Sequence, residues 1–176
     1  VDLALKQTDE NPIFYVQMAH ARMSGIFRVA DRSPESVTGT GALAGLPAAE
    51  DLELLKKLAV FPDIVARAAR GREPHRVTDY LEDLARVTHA WYHKRRVLGE
   101  VPEVETARLA LARAARVVLA NGLGLLGLSA PDRMCPDYEP ARGWQRGPGL
   151  HRDPLRKGGR CAGRVGAVLQ RGRLAA

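Results

Sequence analysis

Apolar residues recur at three- and four-residue intervals through most of this chain, and no stretch alternates over strand length. The pattern begins at NPIFYVQMAHARMSGIFRVADR. Asn11 suits a helix cap, and Pro12 suits the first helical position because an amide is unpartnered there anyway. Two stripes run behind that start and predict a helix to about Arg32. Ile13, Val16, His20, Met23, Phe27 and Ala30 share one face, while Tyr15, Ala19, Arg22 and Ile26 share its neighbour. The first stripe is expected in a core and the second against a partner.

SPESVTGTGALAGLP breaks the period and predicts a connector. A second helix is expected from Pro47, with Leu52, Leu55, Leu58 and Ala59 inward and Leu54 and Phe61 widening the stripe. Glu50, Asp51 and Glu53 would favour its positive end. Pro62 restarts a short helix with Ile64, Val65 and Ala68 inward, stopping at Gly71. The longest amphipathic run, residues 72–98, carries Val77, Leu81, Leu84, Thr88, Trp91 and Arg95 along one line, with Tyr80, Val87 and Leu98 beside it. A last helix follows Pro102 through Leu109, Ala112, Ala115, Val118 and Leu119, broken or capped near Asn121-Gly122. The class predicted is an all-α helix bundle.

Charge changes the picture only at the end of the chain. The net charge is +7, but residues 1–134 carry 18 Lys and Arg against 17 Asp and Glu, whereas residues 135–176 carry 9 against 3. Basicity is therefore a weak argument for nucleic acid in the helical part. The 135–176 tail is rich in Arg, Gly and Pro and cannot bury enough apolar surface to offset chain entropy, so disorder is expected. A basic RNA- or membrane-binding arm and a reading-frame extension both fit it, the second better. Both cysteines, Cys135 and Cys161, fall there, without the spacing of a metal site. No apolar run has spanning length and residues 1–10 lack signal-peptide features, which predicts a cytoplasmic setting.

Little here suggests catalysis. His89 and His93 stand four apart on a helix, but HExxH is absent and no third ligand is evident, so no metal is expected. GLGLLG at 122–127 follows a helix, not a strand, and reads as a packed helix end. Lys94, Arg95 and Arg96 beside Trp91 and Tyr92 would suit phosphates and unstacked bases. They equally suit the negative end of their own helix. Residue chemistry leaves those two readings level.

The run NPIFYVQMAHARMSGI closely resembles the NPVYYVQYAHAR signature of arginyl-tRNA synthetases. FPDIV, PHRVTDYLEDLARVTHAWYHKRRVL and ARLALARAARVVLANGLGLLGLSAPDRM resemble the same family's C-terminal domain, in order. Residues 1–10 resemble the segment entering that domain from the catalytic one, which predicts a C-terminal piece of a longer protein. The resemblance implies a class I synthetase anticodon-binding helix bundle of the DALR type over 11–134, without catalytic residues or cofactor of its own. For the whole enzyme it implies arginine, ATP with Mg and tRNA(Arg), working as a monomer. The family's anticodon contacts fall on Tyr15, Ala19, Tyr92 and Met134, with Arg22 at the Arg of AHAR. Trp91 and Arg96 complete the candidate tRNA-binding set. Met18, Thr88 and Arg95 depart from the residues usual in the family.

Overall fold

The computed structural model describes residues 11–37, 46 and 48–134. The expectations for residues 1–10, most of the connector and the 135–176 tail with its two cysteines lie outside the described residues. Five α-helices are seen there: α1 (Pro12–Ala30), α2 (Ala49–Ala59), α3 (Phe61–Gly71), α4 (His75–Lys94) and α5 (Pro102–Leu125). A short 3-10 turn, Pro34–Ser36, follows α1. Every described element is helical or irregular, as the sequence period predicts.

Local chemistry explains most ends. The Asn11 side chain accepts from the Ile13 amide at 3.1 Å, with Pro12 at the first position. Asp31 closes α1 in the left-handed region (φ 50°), and the Arg32 amide returns to the Phe27 carbonyl at 3.1 Å, two residues before the expected end. Helix α3 ends at Gly71, as expected, but Gly71 is not the residue that takes the capping conformation. Arg72 takes the left-handed cap at φ 55°, and the Glu73 amide bonds the Ala68 carbonyl at 2.9 Å. Nor does α5 break at Asn121-Gly122; it runs unbroken to Leu125. Gly122 serves the packing instead, since a Cβ there would collide with Leu81 of α4.

Helices α4 and α5 form the centre, with α1 and α2 against both and α3 against α2 and α4. Val16, Met23 and Phe27 of α1 enter a core with Leu54, Leu81, Leu84, Trp91, Leu109 and Leu119. Ile13, expected inside, is exposed. The phase of α2 also differs from expectation: Leu52 and Ala59 face out, and the inner line is Asp51, Leu54 and Leu58.

Asp51 is 0% exposed because three helices converge on it. The Trp91 indole of α4 donates to it at 2.7 Å, and the Arg108 guanidinium of α5 lies 3.4 Å away. Arg108 also donates to the Arg96 carbonyl at 2.7 Å. The Thr88 hydroxyl, by contrast, is buried with no hydrogen-bond partner among the described residues. An unpartnered buried hydroxyl costs about 1–3 kcal/mol of lost solvation. Thr88→Val keeps the shape and removes the hydroxyl. It should stabilise the protein by about 1 kcal/mol, read as a rise of about 3–5 °C in Tm.

Candidate nucleic-acid interface

Tyr15 and Arg22 lie two helical turns apart on α1, which puts them on one line facing α4. His89 of α4 sits between them. Its ring lies 4.5 Å from the Tyr15 ring at 52°. Its Nε2 is 3.2 Å from the Tyr15 carbonyl, which can only accept, so Nε2 carries the hydrogen. That leaves Nδ1 as the acceptor for an Arg22 N–H at 2.7 Å. The same Arg22 nitrogen lies 3.3 Å from His93 Nε2. Burial, and then the Arg22 charge, pulls the His93 imidazole below its ordinary value, which keeps that acceptor neutral near pH 7.

The Arg22 guanidinium also lies 5.9 Å from the Tyr92 ring centroid, at the outer limit of cation–π contact. The surface thus carries a half-buried tyrosine, a second tyrosine 40% exposed, and a planar cation between them. The other two nitrogens of Arg22, Nε and the second terminal nitrogen, have no partner among the described residues. Such a fork can donate to base edges or phosphates while the rings stack on bases.

Two expected contact residues are turned away. Trp91 is 1% exposed with its N–H on Asp51, so its ring is core and Tyr92, the next residue round the helix, faces out. Ala19 is fully buried and serves close packing of α1. Arg96 is exposed, whereas Arg95 is tied to Glu50. His89 and His93, at which the sequence predicts no metal, both converge on Arg22. No group of three or more His, Cys, Asp or Glu able to hold a metal occurs among the described residues.

Met134 ends a segment that runs back along a different flank of α1. Gln17 donates to the Ser129 carbonyl at 2.8 Å, Ser24 to Asp132 at 2.8 Å, and Arg28 to the Asp132 carbonyl at 2.6 Å. Arg116 of α5 reaches both Ser24 and Asp132, at 3.0 and 3.1 Å. Ser24 first, and Arg116 as well, hold the Asp132 carboxyl below its usual range. Met134 itself is half-buried.

His20 ties the same segment down through Nδ1, 3.0 Å from the Pro131 carbonyl. Burial outweighs that bond and lowers its pKa. Above the unfolded value of about 6.5 both states are neutral. Below it the unfolded chain takes the proton first, so stability falls as pH drops. The urea midpoint should therefore decrease between pH 7.5 and 5.5. His20→Asn, which keeps a donor near Nδ1 but does not titrate, should reduce that decrease.

Helices α1 and α4 thus present an aromatic and cationic face, Tyr15, Arg22 and Tyr92, at the surface of the bundle. The chain belongs to the DALR anticodon binding domain family, which matches residues 16–134. It is 48% identical over 136 residues to the arginine–tRNA ligase of Geobacillus kaustophilus, covering 76% of this chain and 24% of that protein. The Bordetella pertussis arginine–tRNA ligase is 47% identical over 134 residues, with the same coverage. The Thermus thermophilus arginyl-tRNA synthetase structure superposes with a TM-score of 0.59 at 34% identity, covering 68% of this chain and 21% of that one. The chain spans about a quarter of the length of the curated relatives it matches. No described helix is long and apolar enough to cross a membrane.

Proposed function

We propose that this chain reads the anticodon loop of tRNA(Arg) on behalf of an arginine–tRNA ligase. The observation that carries the reading is the Arg22 fork, fixed by His89 and His93 between Tyr15 and Tyr92 with an edge still open. Membership of the anticodon-binding family and the arginine–tRNA ligase relatives support it. In this reading Tyr15 and Tyr92 stack on unpaired bases, Arg22 donates to a base edge or phosphate, and Arg96 meets the backbone. Met134 lies at the end of the neighbouring segment, and Ala19 and Trp91 act only as packing beneath the face.

The near balance of charge over residues 1–134 fits recognition by stacking and hydrogen bonding rather than by bulk attraction. The parent enzyme would use ATP with Mg to join arginine to tRNA in the cytoplasm. This chain would act as a monomer in RNA binding and show only background ATP–pyrophosphate exchange. Titration with tRNA(Arg) and with a tRNA of unrelated anticodon tests the reading. A preference of at least tenfold for tRNA(Arg) is expected, and equal binding would overturn it.

A further inference from the structure

On the flank of α1 away from Tyr15, beside the 129–134 segment, opens a cleft of about 480 Å³. Its lining brings together Arg28, Arg32, Arg116 and Arg133, with Asp31 and Asp132 as its carboxylates. Arg116 is spent on Asp132 and Ser24, and Arg28 donates to the Asp132 carbonyl. Arg32 and Arg133 are exposed, and their side chains have no hydrogen-bond or ion-pair partner among the described residues. Burial, and next the charge of Arg133, pulls the Arg28 guanidinium below its ordinary value. Crowded cations with too few carboxylates leave the cleft with a deficit of negative charge.

We propose that this cleft binds a phosphodiester of the RNA backbone, held by Arg32 and Arg133 with Arg28 behind them. The left-handed turn at Asp31 gives the position a local cause, since it ends α1 and carries Arg32 past the helix to the cleft mouth. The segment docked by Ser24, Arg28 and Arg116 supplies Arg133 from the other side. A single-charged diester suits two free guanidiniums facing two carboxylates better than a dianion would. Arg28 lies six residues beyond Arg22, about 9 Å along the axis at 1.5 Å per residue. One folded strand can therefore touch the stacking face and the cleft together. The inference rests on RNA being the ligand, but not on which anticodon is read.

The test uses the intact chain and the Arg32→Gln/Arg133→Gln double variant, whose sites are exposed and hold no other element. Affinity for tRNA(Arg) and for a tRNA of unrelated anticodon is measured across salt concentrations. Loss of one phosphate contact should lower the salt slope by about 0.7 and weaken both RNAs alike, leaving their ratio unchanged. An unchanged slope would overturn the proposal even if anticodon preference is intact. A wild type that binds both RNAs equally, with a slope the double variant still lowers, would keep the cleft and sink the anticodon reading. Inorganic phosphate at constant ionic strength is the second arm. If it raises the Tm of the wild type alone while the RNA slopes match, the cleft is a small-phosphate site and the backbone assignment is wrong.

Discussion

Asp51→Ala should destabilise the protein by about 3–5 kcal/mol, the largest single effect expected outside the apolar core. The carboxylate is wholly buried and is shared by Trp91 at 2.7 Å and Arg108 at 3.4 Å. Removing it strands an indole N–H and leaves a guanidinium, itself buried, with Glu100 at 3.6 Å and the Arg96 carbonyl. A stranded buried charge is costly because nothing replaces the water it gave up. Against a typical total of about 5–15 kcal/mol, such a loss approaches unfolding. Asp51→Asn keeps an acceptor for Trp91 but not the charge, so about 1–3 kcal/mol is expected there. Urea unfolding measures both, and a loss below about 1 kcal/mol for the alanine variant would show that Arg108 finds other partners.

Arg22→Ala should weaken tRNA(Arg) binding about 10- to 100-fold, about 1.4–2.7 kcal/mol, the range for hydrogen bonds to a charged group. Tyr15→Ala should fall in the same range, since a lost base stack is worth about 1–3 kcal/mol. Arg22→Lys should recover little, because an ammonium cannot copy a planar fork. His89 gives the sharper check. It serves the Tyr15 carbonyl with one nitrogen and Arg22 with the other. His89→Leu should weaken binding about tenfold, while His89→Gln, which retains a donor and an acceptor, should recover part of it. Adding His89→Leu to Arg22→Ala should cost much less than the two separate losses together. Full additivity in equilibrium binding would mean that His89 does not act through Arg22.

The helices themselves were plain in the sequence because their signals are local. Asn11-Pro12, Pro62 and Pro102 mark starts, and the three-to-four spacing marks faces. What the spacing could not supply was phase where a polar residue belongs inside. An isolated helix would turn Leu52 inward and leave Asp51 at the positive end of its dipole. Asp51 is buried only because Arg108, 57 residues away, meets it. Trp91 is misplaced for the same reason, since its adjacency to Tyr92 says nothing of the carboxylate beneath it. The continuous α5 likewise depends on a neighbour: Gly122 is tolerated mid-helix because Leu81 leaves no room for a side chain.

The interface divides along the same line. Tyr15, Arg22 and Tyr92 are picked out by family resemblance, in the anticodon-reading role we propose for them. The histidines that fix Arg22 could not, because their partner lies 67 and 71 residues earlier. A four-residue His spacing suggests a metal face, yet the group between these imidazoles is a guanidinium. The unpaired arginines of the cleft are similarly invisible in sequence. Arg32 and Arg133 are distant in the chain and meet only through the docked segment.

The central claim is that the Tyr15–Arg22–Tyr92 face reads anticodon bases. It is tested most directly by moving the anticodon loop of tRNA(Arg) into an otherwise unrelated tRNA and measuring equilibrium binding to the intact chain. The account predicts that the hybrid binds within about threefold of tRNA(Arg), and that Arg22→Ala removes the gain. A hybrid that binds no better than its unrelated parent would contradict it.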